Sequence, residues 1–85
     1  MLEKQIETKV KKLAKDWLCF KFTSPGVIGV PDRLFIRNGR CVFIEFKAKG
    51  KKPRPSQLRV IEIMRQHGAE VYICDSVESA MEILQ

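Results

Sequence analysis

The chain has 85 residues, which predicts one domain, spanning residues 1–85, with a modest core. A composition of 45% hydrophobic and 31% charged residues excludes a disordered chain, and no apolar run approaches the ~20 residues needed to cross a bilayer. The net charge of +6 fits an anionic partner, most often nucleic acid.

Residues 2–16 read as an amphipathic helix. Leu2, Ile6, Val10, Leu13 and Trp17 recur at helical spacing along one face, and Lys4, Lys9, Lys11, Lys12 and Lys15 fill much of the remainder. Glu3 and Glu7 lie one turn apart on a stripe beside the apolar face. No apolar run follows Met1, so no signal peptide is expected and the protein should be cytoplasmic. Cys19, Cys41 and Cys74 are widely spaced and odd in number, which predicts reduced, buried small hydrophobes and no zinc site.

Residues 18–23 are rich in aromatic and β-prone types and predict a strand. Pro25, Gly26 and Gly29 mark a loop. Two strands follow, 31–37 and 40–47, joined by Asn38-Gly39, a strong hairpin signal. Residues 48–55 form a basic loop containing Gly and Pro. A helix capped by Ser56 then runs to His67, with Gly68 as its stop. Residues 70–74 are nearly all apolar, as in a strand covered on both faces. Asp75 and Glu78 resemble a capping box for a last helix over 76–84. The predicted order is α-β-β-β-α-β-α, an α/β fold in which the strand–helix–strand segment near the end is a parallel crossover.

The hairpin places chemistry. With Asn38 and Gly39 as the loop, Arg37 faces Arg40, Leu34 faces Phe43 and Asp32 faces Glu45. Opposed residues project to one face with Cβ atoms about 4.5–5.5 Å apart. Lys47, two residues beyond Glu45, projects there too. Two carboxylates so placed repel each other, and a hard divalent cation offsets that repulsion. The backbone carbonyl of Phe46, between Glu45 and Lys47, could add a ligand. Lys47 could orient a water or stabilise transition-state charge. A surface ion pair of Lys47 with Glu45 explains each residue singly; the shared face favours the chemical reading.

Gly29-Val30-Pro31-Asp32-Arg33-Leu34 followed by Ile44-Glu45-Phe46-Lys47 resembles the signature of the PD-(D/E)XK nucleases. Ser24-Pro25-Gly26 before that block, and Lys47-Ala48-Lys49-Gly50 followed by Gln57, resemble more narrowly the VRR-NUC (virus-type replication-repair nuclease) family, over essentially the whole chain. The resemblance implies a central mixed sheet flanked by helices and a Mg²⁺- or Mn²⁺-dependent DNA endonuclease. It implies metal-ligand roles for Asp32 and Glu45 and a catalytic lysine at Lys47. It also implies a first-helix glutamate, matched best by Glu3 with Glu7 as the alternative, and a site glutamine at Gln57. The family often has serine where this chain has Arg54, which bears on the loop rather than on the metal site.

The basic residues Lys49, Lys51, Lys52 and Arg54 directly follow the Glu-x-Lys strand and predict phosphate contacts. Stand-alone relatives resemble Holliday-junction resolvases, so the resemblance implies a homodimer on branched DNA from a phage or bacterial setting. The alternatives are a nickase or flap nuclease, and a nucleic-acid-binding module without catalysis.

Overall fold

The computed structural model describes residues 1–85. The elements are α1 (Glu3–Leu13), β1 (Leu18–Lys21), β2 (Arg33–Arg37), β3 (Arg40–Phe46), α2 (Pro55–Gln66), β4 (Glu70–Cys74) and α3 (Val77–Ile83). The predicted order therefore holds. The strands form one mixed sheet in the order β1-β2-β3-β4, antiparallel except for the parallel β3–β4 pair. The hairpin register is the one the turn predicts: Arg37 pairs with Arg40, Leu34 with Phe43 and Arg33 with Ile44. Asn38 (φ +50°) and Gly39 (φ +82°) both adopt positive φ, as a two-residue turn matched to strand twist requires.

Alternation along the strands divides the sheet into two faces. On one face, Phe35, Val42, Ile44, Phe46 and Cys74 are buried against Ile6 and Val10 of α1 and Val77 and Ala80 of α3. On the other face, α2 covers the β4 side, where Ile61 and Val71 are buried, and the end of β3, where Glu45 is buried. Toward β1 and the hairpin turn that face is open. Leu18 and Phe20 of β1 are each 52% exposed, and Cys41 of β3 is exposed. The expectation that all three cysteines are buried is corrected by this missing cover: only Cys74 is buried, Cys19 is partly covered, and all three are free thiols.

The ends of the elements differ from the sequence reading for local reasons. α1 stops at Leu13 because Ala14 leaves helical geometry; Trp17 lies beyond a turn, its indole N–H donating to the Leu84 carbonyl (3.1 Å). The cap of α2 is Arg54, not Ser56, because Pro55 at the first helical position fixes the entry to the helix. The cap of α3 is Ser76, not Asp75; the Ser76 hydroxyl accepts the Ser79 N–H (3.1 Å). Gly68 ends α2 as expected, at φ +91°, with the Ala69 N–H donating to the Met64 carbonyl and the Gly68 N–H to the Arg65 carbonyl.

Candidate active site

The hairpin carries its two acidic residues to the end of the sheet away from its turn. Asp32 directly precedes β2, after Pro31. Its carbonyl accepts the Phe22 N–H (2.7 Å), and its Oδ2 accepts the Phe46 N–H (3.3 Å), which ties the side chain to the end of β3. Glu45 is the penultimate residue of β3 and only 1% exposed. Its Oε2 accepts the Gln57 amide N–H (3.1 Å) and lies 3.4 Å from the Lys47 ammonium. Its Oε1 is buried without any hydrogen-bond partner. A buried, unpaired carboxylate oxygen costs stability and calls for an explanation.

Electrostatics mark the same place. Burial, then the charge of Asp32, pushes the Glu45 carboxyl from 4.5 up to about 7; Lys47 pulls only partly back. Burial also raises the Asp32 carboxyl above its ordinary range. The charges of Glu7 and Glu3 add to that rise, and the Phe46 N–H opposes it. Lys47 itself is held at the end of the sheet, where its backbone N–H donates to the Cys74 carbonyl (2.9 Å).

Gln57 is buried in the first turn of α2, and both ends of its amide are used. Its Oε1 accepts the Arg54 N–H (2.9 Å), half of a capping box, so its Nε2 is the end that faces Glu45. Gly29 closes the arrangement. At φ +101° it lies so near α2 that an added Cβ would stand 2.9 Å from the Ser56 carbonyl oxygen and 3.1 Å from the Gln57 Cα. The loop carrying Asp32 and the helix carrying Gln57 are thus in backbone contact.

Of the two glutamates on α1, Glu7 is bound to Arg33. Glu3 has no such partner, and its charge raises both Asp32 and Glu45. The loop residues Lys49, Lys51, Lys52 and Arg54 are exposed and free of ion pairs. The loop itself is held: Lys51 N–H donates to the Ala48 carbonyl (2.9 Å), and Gly50 N–H donates to Asp75 Oδ2 (3.0 Å). Asp75, read from sequence as a helix cap, anchors the basic loop instead. That role and the Arg33–Glu7 pair have no local signal, since both join residues about 25 positions apart.

No group of three His, Cys, Asp or Glu side chains is gathered to hold an ion. The donor set is two carboxylates, one with a free buried oxygen. That suits a hard cation such as Mg²⁺, which takes one or two protein carboxylates and fills its remaining positions with water and substrate oxygens.

Comparisons with known proteins agree with this fold. A solved VRR_NUC domain superposes with a TM-score of 0.86 at 29% identity, covering 96% of this chain and 92% of that one. The protein named "Putative nuclease p44" from Acyrthosiphon pisum secondary endosymbiont phage 1 is 42% identical over 76 residues, 88% of this chain and 80% of that relative. The family model for the VRR-NUC domain matches residues 2–78. The chain therefore belongs to the VRR-NUC family of nuclease domains.

Proposed function

We propose that residues 1–85 act as one metal-dependent endonuclease domain that hydrolyses DNA phosphodiester bonds. The observation that carries the reading is the Glu45 carboxylate: buried, raised to about 7 by burial and by Asp32, and left with one oxygen unpartnered. A bound Mg²⁺ or Mn²⁺ held by Asp32, Glu45 and the Phe46 carbonyl would supply charge for the scissile phosphate and a more acidic water.

The chain's own residues do the rest. Lys47, beside Glu45, orients the attacking water or stabilises charge on the phosphate oxygens. Gln57 fixes the Glu45 rotamer and leaves Oε1 free for the ion. Glu3 is the first-helix acid, supported by the commitment of Glu7 to Arg33. Lys49, Lys51, Lys52 and Arg54 bind substrate phosphates beside the site.

The protein works as a homodimer on branched DNA, in the cytoplasm of a bacterial or phage-infected cell. A two-fold pair presents two sites to two strands of a symmetric junction. The uncovered sheet face around Leu18 and Phe20 supports a second copy as its cover. No helix is long and apolar enough to cross a membrane. The test is incubation with labelled duplex, flap and four-way-junction DNA in Mg²⁺, Mn²⁺ or EDTA. Paired cuts at the junction with metal, and none in EDTA, are expected. Single cuts favour a nickase or flap nuclease. Binding without cleavage under every condition would leave only a binding module.

A further inference from the structure

The fold strips α1 of its acidic partners and leaves its lysines bare. Lys4, Lys9, Lys11 and Lys12, with Lys15 just past the helix end, are all exposed, and none forms an ion pair. In an isolated helix Glu7 would pair with Lys11, four residues on, in the favourable order. Here Glu7 turns to the sheet and binds Arg33. Glu3, the other acid of α1, is only partly exposed, and its charge bears on Asp32 and Glu45. Asp16, beyond the helix, is exposed and forms no ion pair. A helix with its acids on the inner side and its lysines outward repels itself unless a polyanion lies along it.

This face is continuous with the basic loop. The Lys49 N–H donates to the Met1 carbonyl (3.4 Å), so the loop begins against the residue leading into α1. Lys4, Lys9 and Lys12, with Leu2, Gln5 and Thr8, line a shallow groove along the helix from there. At about 1.5 Å per residue, Lys4 and Lys12 stand about 12 Å apart along the axis. That matches three to four phosphates of one strand, at about 3.4 Å of duplex axis each.

We infer that the outer face of α1 is a second phosphate track, in which Lys4, Lys9 and Lys12 continue the contacts of the 49–54 loop along the nucleic acid backbone. The inference rests on the nuclease reading above and adds a surface to it. The test replaces Lys4, Lys9 and Lys12 together by Gln, with circular dichroism to confirm the fold. Binding of labelled duplex is followed by fluorescence anisotropy in EDTA across a salt series, beside the wild type and a loop variant with Lys49, Lys51 and Lys52 changed to Gln. The slope of log affinity against log salt should fall by about 0.9 for each phosphate no longer neutralised, up to about 2.7 for the helix variant. Arginine at the same three positions should keep the wild-type slope. A helix variant with wild-type affinity and slope, beside a loop variant in which both fall, would overturn the track and leave the nuclease reading standing. A wild type that neither binds nor cuts nucleic acid would overturn the reading beneath it.

Discussion

At the scale of single residues, the buried carboxyl of Glu45 costs the fold stability once it ionises. Its carboxyl is raised from 4.5 in the unfolded chain to about 7 in the folded one. The folded state therefore holds the proton more tightly. Without metal, stability falls as pH rises from about 4.5 to about 7, by on the order of 3 kcal/mol. Denaturant melts in EDTA at pH 5 and pH 8 should show this loss, and Glu45→Gln should flatten it and raise stability at pH 8. Added Mg²⁺ should restore wild-type stability at pH 8 without helping Glu45→Gln. Cleavage by Glu45→Gln, or by Asp32→Ala, should drop to background while circular dichroism stays native; retained cleavage by a folded Asp32→Ala protein would refute the assignment. For Gln57→Ala, which leaves the Glu45 Oε2 short of a donor, Mn²⁺ affinity measured by calorimetry should weaken about 10- to 100-fold.

At the scale of elements, the site depends on how closely the loop before β2 meets α2. Gly29→Ala adds a Cβ against Ser56 and Gln57 at a φ of +101° that side chains rarely adopt. A loss of about 1–3 kcal/mol is expected from the backbone alone. Relief by moving α2 outward would pull Gln57 from Glu45. Gly29→Ala should therefore lower both melting temperature and Mn²⁺ affinity, whereas Gly26→Ala, at a φ of +80° with open space around it, should lower only the first. Equal metal affinities in the two variants would show that the close approach does not position the site. Asn38-Gly39 makes the hairpin and its register, down to Arg33 opposite Ile44, legible from the chain alone, because two-residue turns fix register. The caps of α2 and α3 are not legible in the same way: Ser56 and Asp75 look like caps, and only the path of the chain shows that Pro55 and Ser76 start the helices.

At the scale of the whole molecule, the open sheet face is where the proposed second copy is expected to pack. α1 and α3 share one side of the sheet, which leaves α2 alone on the other, with Leu18 and Phe20 of β1 uncovered. Light scattering at micromolar concentration should give about twice the 9.8 kDa chain mass. Phe20→Glu, on the open face, should shift the protein toward monomer with its helix content unchanged. A wild-type mass near the monomer, both free and on junction DNA, would exclude the dimer and favour cleavage of one strand at a time.

Local patterning was enough to determine the element order and the hairpin register, because helical spacing and turn chemistry act over a few residues. The Glu-x-Lys alternation put Lys47 on the same face for the same reason. Only the tertiary structure decided that Glu7 goes to Arg33, that Gln57 bridges Arg54 and Glu45, and that Asp75 holds Gly50. Most of these interactions join distant residues, and packing alone selects which polar groups meet. It also decided that Glu45 is buried with one oxygen unpaired, a property of the surrounding atoms that no spacing in the chain encodes.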